Sequence, residues 1–381
     1  MKHHCITWIA MLLIAVMLVG CGNAEPAAPS TDAPVSTGAP TETPSEAPTE
    51  APTEAPTEAP TEAPTEAPTE APTEPQVYTN PLNGQILEAP IATRNFAVTI
   101  NNIPAAMPMY GVSKADLFFE MFVNDYATRG LAIFSDISQV KAIGSIRSLR
   151  YNFTDLAELF DAVVLHAGGS DHVMHDLAGS VVDDIYVESD KGDYYFRDQS
   201  RLSAGYAWEH CLFAKGAETL AYAEGAGFRV TPKEDADYGL RFTEEGTPEN
   251  GEAASKVTIT LIHDGVAKKN VMEYKEEQGA YLFNQFGKPM YDGAQEQYIY
   301  FENVIVLYCT VRNDGIYHVA ELVGSGEGYF ACGGKIVPIK WSHERMDAPL
   351  VLTLADGTPL ELGVGSSYVA IAPLASTVKY E

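Results

Sequence analysis

The sequence predicts an α/β body with a layered, mixed-sheet N-terminal domain over residues 77–235. A smaller, mostly antiparallel, β-rich C-terminal domain follows over residues 236–381. Three observations predict this. The first half alternates apolar strand-like runs with helix signals, the second half is a series of short strand-like runs divided by glycine turns, and residues 24–75 have too few large apolar side chains to join a core. In order, NFAVTI (95–100), ADLFFEMFV (115–123), GLAIFS (130–135) and DAVVLH (161–166) read as strands, and FTDLAELF (153–160) as a helix capped by Thr154 or Asn152. These strands are nearly all apolar, as in a sheet covered on both faces. After residue 235, nine runs between 256 and 373 have β character. Their separators Asn313-Asp314-Gly315, Gly333-Gly334 and Asp356-Gly357 have hairpin-turn chemistry.

Ahead of the body lie two segments that belong to no fold. Lys2 precedes an apolar run from Ile6 to Val19, too short for a membrane span and of the length of a signal-peptide core. It ends in Leu18-Val19-Gly20-Cys21, which resembles the bacterial lipoprotein processing box. That resemblance implies removal of residues 1–20, lipidation of Cys21, and an extracytoplasmic protein held on the cell membrane. The alternative is an uncleaved N-terminal anchor. Residues 21–76 then form a stalk in which Glu-Ala-Pro-Thr repeats every four residues. Its prolines forbid helix and its glutamates repel one another, so at the polyproline limit of about 3.1 Å per residue it reaches at most on the order of 150 Å.

The net charge of −28 becomes −18 for the body once Lys2 and the eleven stalk carboxylates are set aside. That balance argues against nucleic acid, and leaves the lipid anchor as the only expected link to the membrane. Six of the ten arginines nonetheless fall between residues 94 and 201. Of the cysteines that remain after processing, Cys211, Cys309 and Cys332 form no CxxC pair, so no zinc ribbon is expected. Cys309 and Cys332, both in strand-like runs, either pair or remain buried thiols.

Several motifs occur in a fixed order: Asn80-Pro81-Leu82-Asn83-Gly84, Ala97 to Asn102, Ala115 to Glu120, Thr128-Arg129, Ile143 to Ser148 with Arg150, and His166-Ala167-Gly168-Gly169-Ser170. Phe196-Arg197-Asp198 with Arg201 and His210, Asn303 to Val306, Gly324 to Gly326, Gly334-Lys335, Trp341 and Asp356-Gly357 continue the series. Together they resemble the YerB-like family of bacterial lipoproteins across residues 80–376. The resemblance implies a surface lipoprotein with an α/β part and a smaller β-rich part, and implies no reaction. His172 and His175 depart from the family pattern.

The candidate chemistry gathers at HAGGSDHVMHD (166–176). His172 and His175 at i, i+3 share a helix face, yet such a pair is common on solvated surfaces, and no metal is expected. Ser170 and His166 suggest a nucleophile and a general base, but GxSxG is absent and His166 precedes Ser170 by only four positions across the turn. A third reading uses more of the residues. Gly168 and Gly169 turn amides outward, Ser170 caps a following helix, and Arg129, Arg147, Arg150 and Arg197 supply forks for an oxyanion. The bland alternative pairs these arginines with Glu120, Asp116, Asp198 or Glu209. Tyr194 to Phe196 beside Arg197 and Arg201 read as core aromatics or a stacking surface. Gly324 to Gly328 reads as a glycine-rich hairpin and lacks the context of a phosphate loop.

The expected function is therefore a noncatalytic cell-envelope binding or assembly module without cofactor, whose partner is an anionic cell-wall fragment or an envelope protein. The rivals are an envelope hydrolase or transferase with His166 as general base, and a purely structural tether.

Overall fold

The computed structural model describes residues 77–124, 126–189, 192–234 and 236–381. The leader, Cys21 and the stalk lie outside the described residues. The principal strands are β1 (Phe96–Asn101), β2 (Leu117–Asn124), β3 (Ala127–Phe134), β4 (Val163–His166), β5 (Asp184–Tyr186), β6 (Lys256–His263), β7 (Val266–Lys275), β8 (Ala280–Gln285), β9 (Asn303–Cys309), β10 (Gly324–Cys332), β11 (Lys335–His343), β12 (Ser367–Pro373) and β13 (Thr377–Tyr380). The helices are α1 (Tyr151–Leu159), α2 (Asp171–Ala178), α3 (Gln199–Ser203) and α4 (Gly216–Gly225).

The chain is strand-rich and is organised around a large mixed sheet of order β11-β10-β9-β12-β2-β3-β1-β4-β5. β12 runs parallel to both β9 and β2, so strands from the two halves of the sequence are hydrogen-bonded within one sheet. A second sheet, β8-β7-β6-β13, is antiparallel throughout.

Both faces of the large sheet are covered, as the unbroken apolar runs of β1 and β2 require. Alternation along the strands sends Val98, Ile100, Phe118 and Ala132 into a core shared with Val257, Ile259 and Leu261 of β6. Ala97, Phe119, Leu131 and Ile133 enter the opposite core with Phe153 and Leu156 of α1.

Several local expectations change. α1 begins at Tyr151, with Arg150 at the N-cap and no side-chain cap. Asn152 instead reaches across to the strand Tyr317–Ala320, donating to Ala320 O at 2.7 Å and accepting from Ala320 N at 2.7 Å. Gly324 to Gly328 is extended strand, and the turn falls at Gly333-Gly334. Gly326 is needed because a Cβ there would sit 2.5 Å from Trp341 Nε1, which donates to Tyr308 O at 3.0 Å. Cys211, Cys309 and Cys332 are buried free thiols.

Candidate functional site

The loop Ser145 to Arg150 is laced along β1 and the glycine turn. Asn101 N donates to Ser145 O, Arg147 N to Thr99 O, Ala167 N to Arg147 O, and Leu149 N to Gly168 O at 2.7 Å. This backbone pairing sets Arg147 and Arg150 beside the carboxyl ends of the parallel strands β1 and β4, where open α/β sheets place their ligands. Arg129 enters from β3, paired in register with Asn101.

The three guanidinium groups are then held together. Arg129 is 6% exposed and donates to Ser148 O, while Arg150 donates to Leu149 O at 2.6 Å and lies 4.7 Å from the Tyr317 ring centre. Nε of Arg147 and Nε of Arg150 are buried without a hydrogen-bond partner. Burial, and then the charges of Arg150 and Arg147, push Arg129 well below the ordinary arginine range. Burial also lowers Arg147 and Arg150; Glu209 opposes the shift at Arg147 and Tyr317 at Arg150.

Among the described residues, none of the three forms an ion pair with a carboxylate. Arg94, Arg197, Arg201, Arg229, Arg241 and Arg345 each have one nearby. Of the carboxylates that the sequence offered as partners, Glu209 acts on Arg147 through its charge without forming an ion pair, and the other three are otherwise engaged. Glu120 pairs with Lys268 at 2.9 Å. Asp116 accepts from Asn83, Asn80 and Ser135, and Asp198 caps α3.

The glycine turn behaves as its residues dictate. Gly168 has φ +73, a conformation that favours glycine, and a Cβ on Gly169 would meet Met174 Sδ at 2.8 Å. Ser170 caps α2 by accepting from Val173 N. Among the described residues the amides of Gly168 and Gly169 donate to no protein acceptor, so they remain available to a ligand.

Other expected members do not join. Arg197 is forked onto Glu188 at 2.9 and 2.6 Å and lies 3.9 Å from the Trp208 ring centre, which makes it a scaffold pair. His166 is fully buried, with Nδ1 2.8 Å from Gly168 O and Nε2 2.9 Å from Asp184 Oδ2, and its ring stacks on Tyr186. Both ring nitrogens are engaged inside the fold, so neither is free to reach a substrate as a general base. His172 and His175 are 76% and 90% exposed, and among the described residues no three potential metal ligands converge. Arg201 is buried against Tyr110, Tyr206 and Phe213 and donates to Ala106 O and His210 O, a core position.

Residues 82–229 match the N-terminal domain of the protein of unknown function DUF3048, and residues 259–369 match its C-terminal domain. The chain belongs to the DUF3048 family. Within it, this member is 24% identical over 299 residues to the Bacillus subtilis (strain 168) protein named as lipoprotein YerB, covering 77% of this chain and 86% of that protein. The crystal structure of YerB from Bacillus subtilis matches with a TM-score of 0.68 and 22% identity, over 79% of this chain and 99% of that one. This likeness establishes the DUF3048 fold. Among the described residues no helix is long and apolar enough to cross a membrane.

Proposed function

We propose that this DUF3048 protein is an extracytoplasmic lipoprotein, anchored through Cys21, whose body binds an oxyanion on a cell-wall fragment or an envelope protein. The observation that carries the reading is a cluster of three arginines, the buried Arg129 and Arg150 and the half-buried Arg147, none of which forms an ion pair with a carboxylate among the described residues, Glu209 acting on Arg147 only from beyond ion-pair distance. A scaffold gains nothing from like charges at low dielectric, whereas a ligand carboxylate or phosphate converts their repulsion into charge-assisted hydrogen bonds. The free amides of Gly168 and Gly169 and the N-terminus of α2 add donors at the same sheet edge. The engaged His166 favours binding over acyl-transfer chemistry. Thermal unfolding with soluble wall fragments tests this. The protein gains stability with anionic fragments and Arg147→Ala does not; an equal response from both refutes the site.

A further inference from the structure

The opposite face of the large sheet carries a second feature, independent of the arginines. β7, the turn after β8 and the residues following β1 and β2 enclose a groove of about 400 Å³, within the range of small-ligand sites. Phe122, Tyr126 and Phe286 form aromatic walls, and Asn102, Thr128, Lys268 and Gln285 contribute polar lining.

Beneath it, Glu120 is fully buried and saturated with donors. One oxygen accepts from Lys268 Nζ at 2.9 Å and Thr128 Oγ1 at 2.7 Å. The other accepts from Asn270, Gln285 and Tyr368 at 2.9, 2.8 and 2.9 Å. The carboxylate thereby fixes the orientation of the Gln285 amide, and Thr128 fixes Asn102, whose Nδ2 donates to Oγ1 at 3.2 Å. As a result Gln285 Oε1 and Asn102 Oδ1, on residues 1% and 2% exposed, are acceptors without donors. Each such group costs about 1–3 kcal/mol until a donor reaches it.

The rest of the lining narrows the ligand. The charge of Lys268 is consumed by Glu120, which removes the attraction for an anion. No carboxylate lines the groove to attract a cation. A purely apolar ligand leaves the two amide oxygens unsatisfied. Phe286, a non-glycine residue at φ +53, is held with its ring centre 4.8 Å from Lys268 Nζ, and Tyr126 stands 87% exposed at the hairpin tip.

We propose that this groove binds an uncharged carbohydrate, with ring faces against Phe286 and Tyr126 and hydroxyls donating to Asn102 and Gln285. Calorimetric titration of the full chain with chitotriose and maltotriose tests it. Saturable binding of at least one sugar is expected. Tyr126→Ala and Phe286→Ala each weaken it about tenfold, the scale of one lost aromatic contact, and Arg147→Ala leaves it unchanged. No saturable binding of either sugar up to about 10 mM, weaker than any useful site, overturns the proposal. Binding unaltered by Tyr126→Ala, a substitution at an exposed position, overturns it equally, including where Phe286→Ala fails to fold.

Discussion

Among the described residues Arg129, Arg147 and Arg150 form no ion pair, whereas Arg197 does, and single substitutions read out the difference. Arg147→Ala relieves repulsion on Arg129, so in anion-poor buffer it raises stability, on the order of 0.5–1 kcal/mol by urea unfolding. Arg197→Ala removes the fork to Glu188 and lowers stability by up to about 1 kcal/mol, without touching the anion response. Asp155 on α1 titrates differently from a free carboxylate. Burial, offset by the Asn152 hydrogen bond and helped by Glu158, raises it to about 6. Between about pH 4 and 6 the folded protein thus holds a proton that the unfolded chain has released, and stability falls as pH rises through that window. Asp155→Asn flattens the fall, measured as unfolding midpoints at both ends of the window. Of the arginines, those on the Ile143 to Arg150 loop could be related to the glycine turn because they stand just upstream of the helix that feeds β4. Arg197 was misread because sequence proximity to Asp198 and Arg201 does not reveal Glu188 as its partner. Glu120 with Lys268 was invisible for the same reason at greater separation.

At the scale of elements, the strands were legible wherever apolar runs were long, because burial on both faces writes continuous hydrophobicity into β1 and β2. α1 was legible as a helix, but its start was not. Asn152 has cap chemistry, yet its amide is drawn to Ala320, a tertiary bond that outcompetes a local cap. Asn152→Ala leaves two buried backbone groups unpaired and costs about 2–3 kcal/mol, readable as a loss in unfolding free energy. α4 escaped prediction because it opens on Gly216, a poor helix former kept because a Cβ there would lie 1.9 Å from Ile137 O. The parallel placement of β12 was equally hidden, since hairpin-rich sequence nearby implies antiparallel neighbours.

At the scale of the whole molecule, the large sheet joins both halves of the sequence, although the family divides them into N- and C-terminal parts. β12 covers the edge of β2, and the second sheet covers Phe118 and Ile100. Residues 77–235 expressed alone should therefore show exposed apolar surface and no cooperative thermal transition, checked by dye binding and calorimetry. The acidic body makes a small anion an unfavourable visitor at long range, so its binding depends on the local cluster. Calorimetric titration of inorganic phosphate into the protein, Arg147→Ala and Arg197→Ala measures that dependence directly. Saturable binding by the protein and by Arg197→Ala, weakened at least about tenfold in Arg147→Ala by the loss of one charge-assisted fork, is the predicted result; no binding by the protein, or equal binding by all three, contradicts the arginine site.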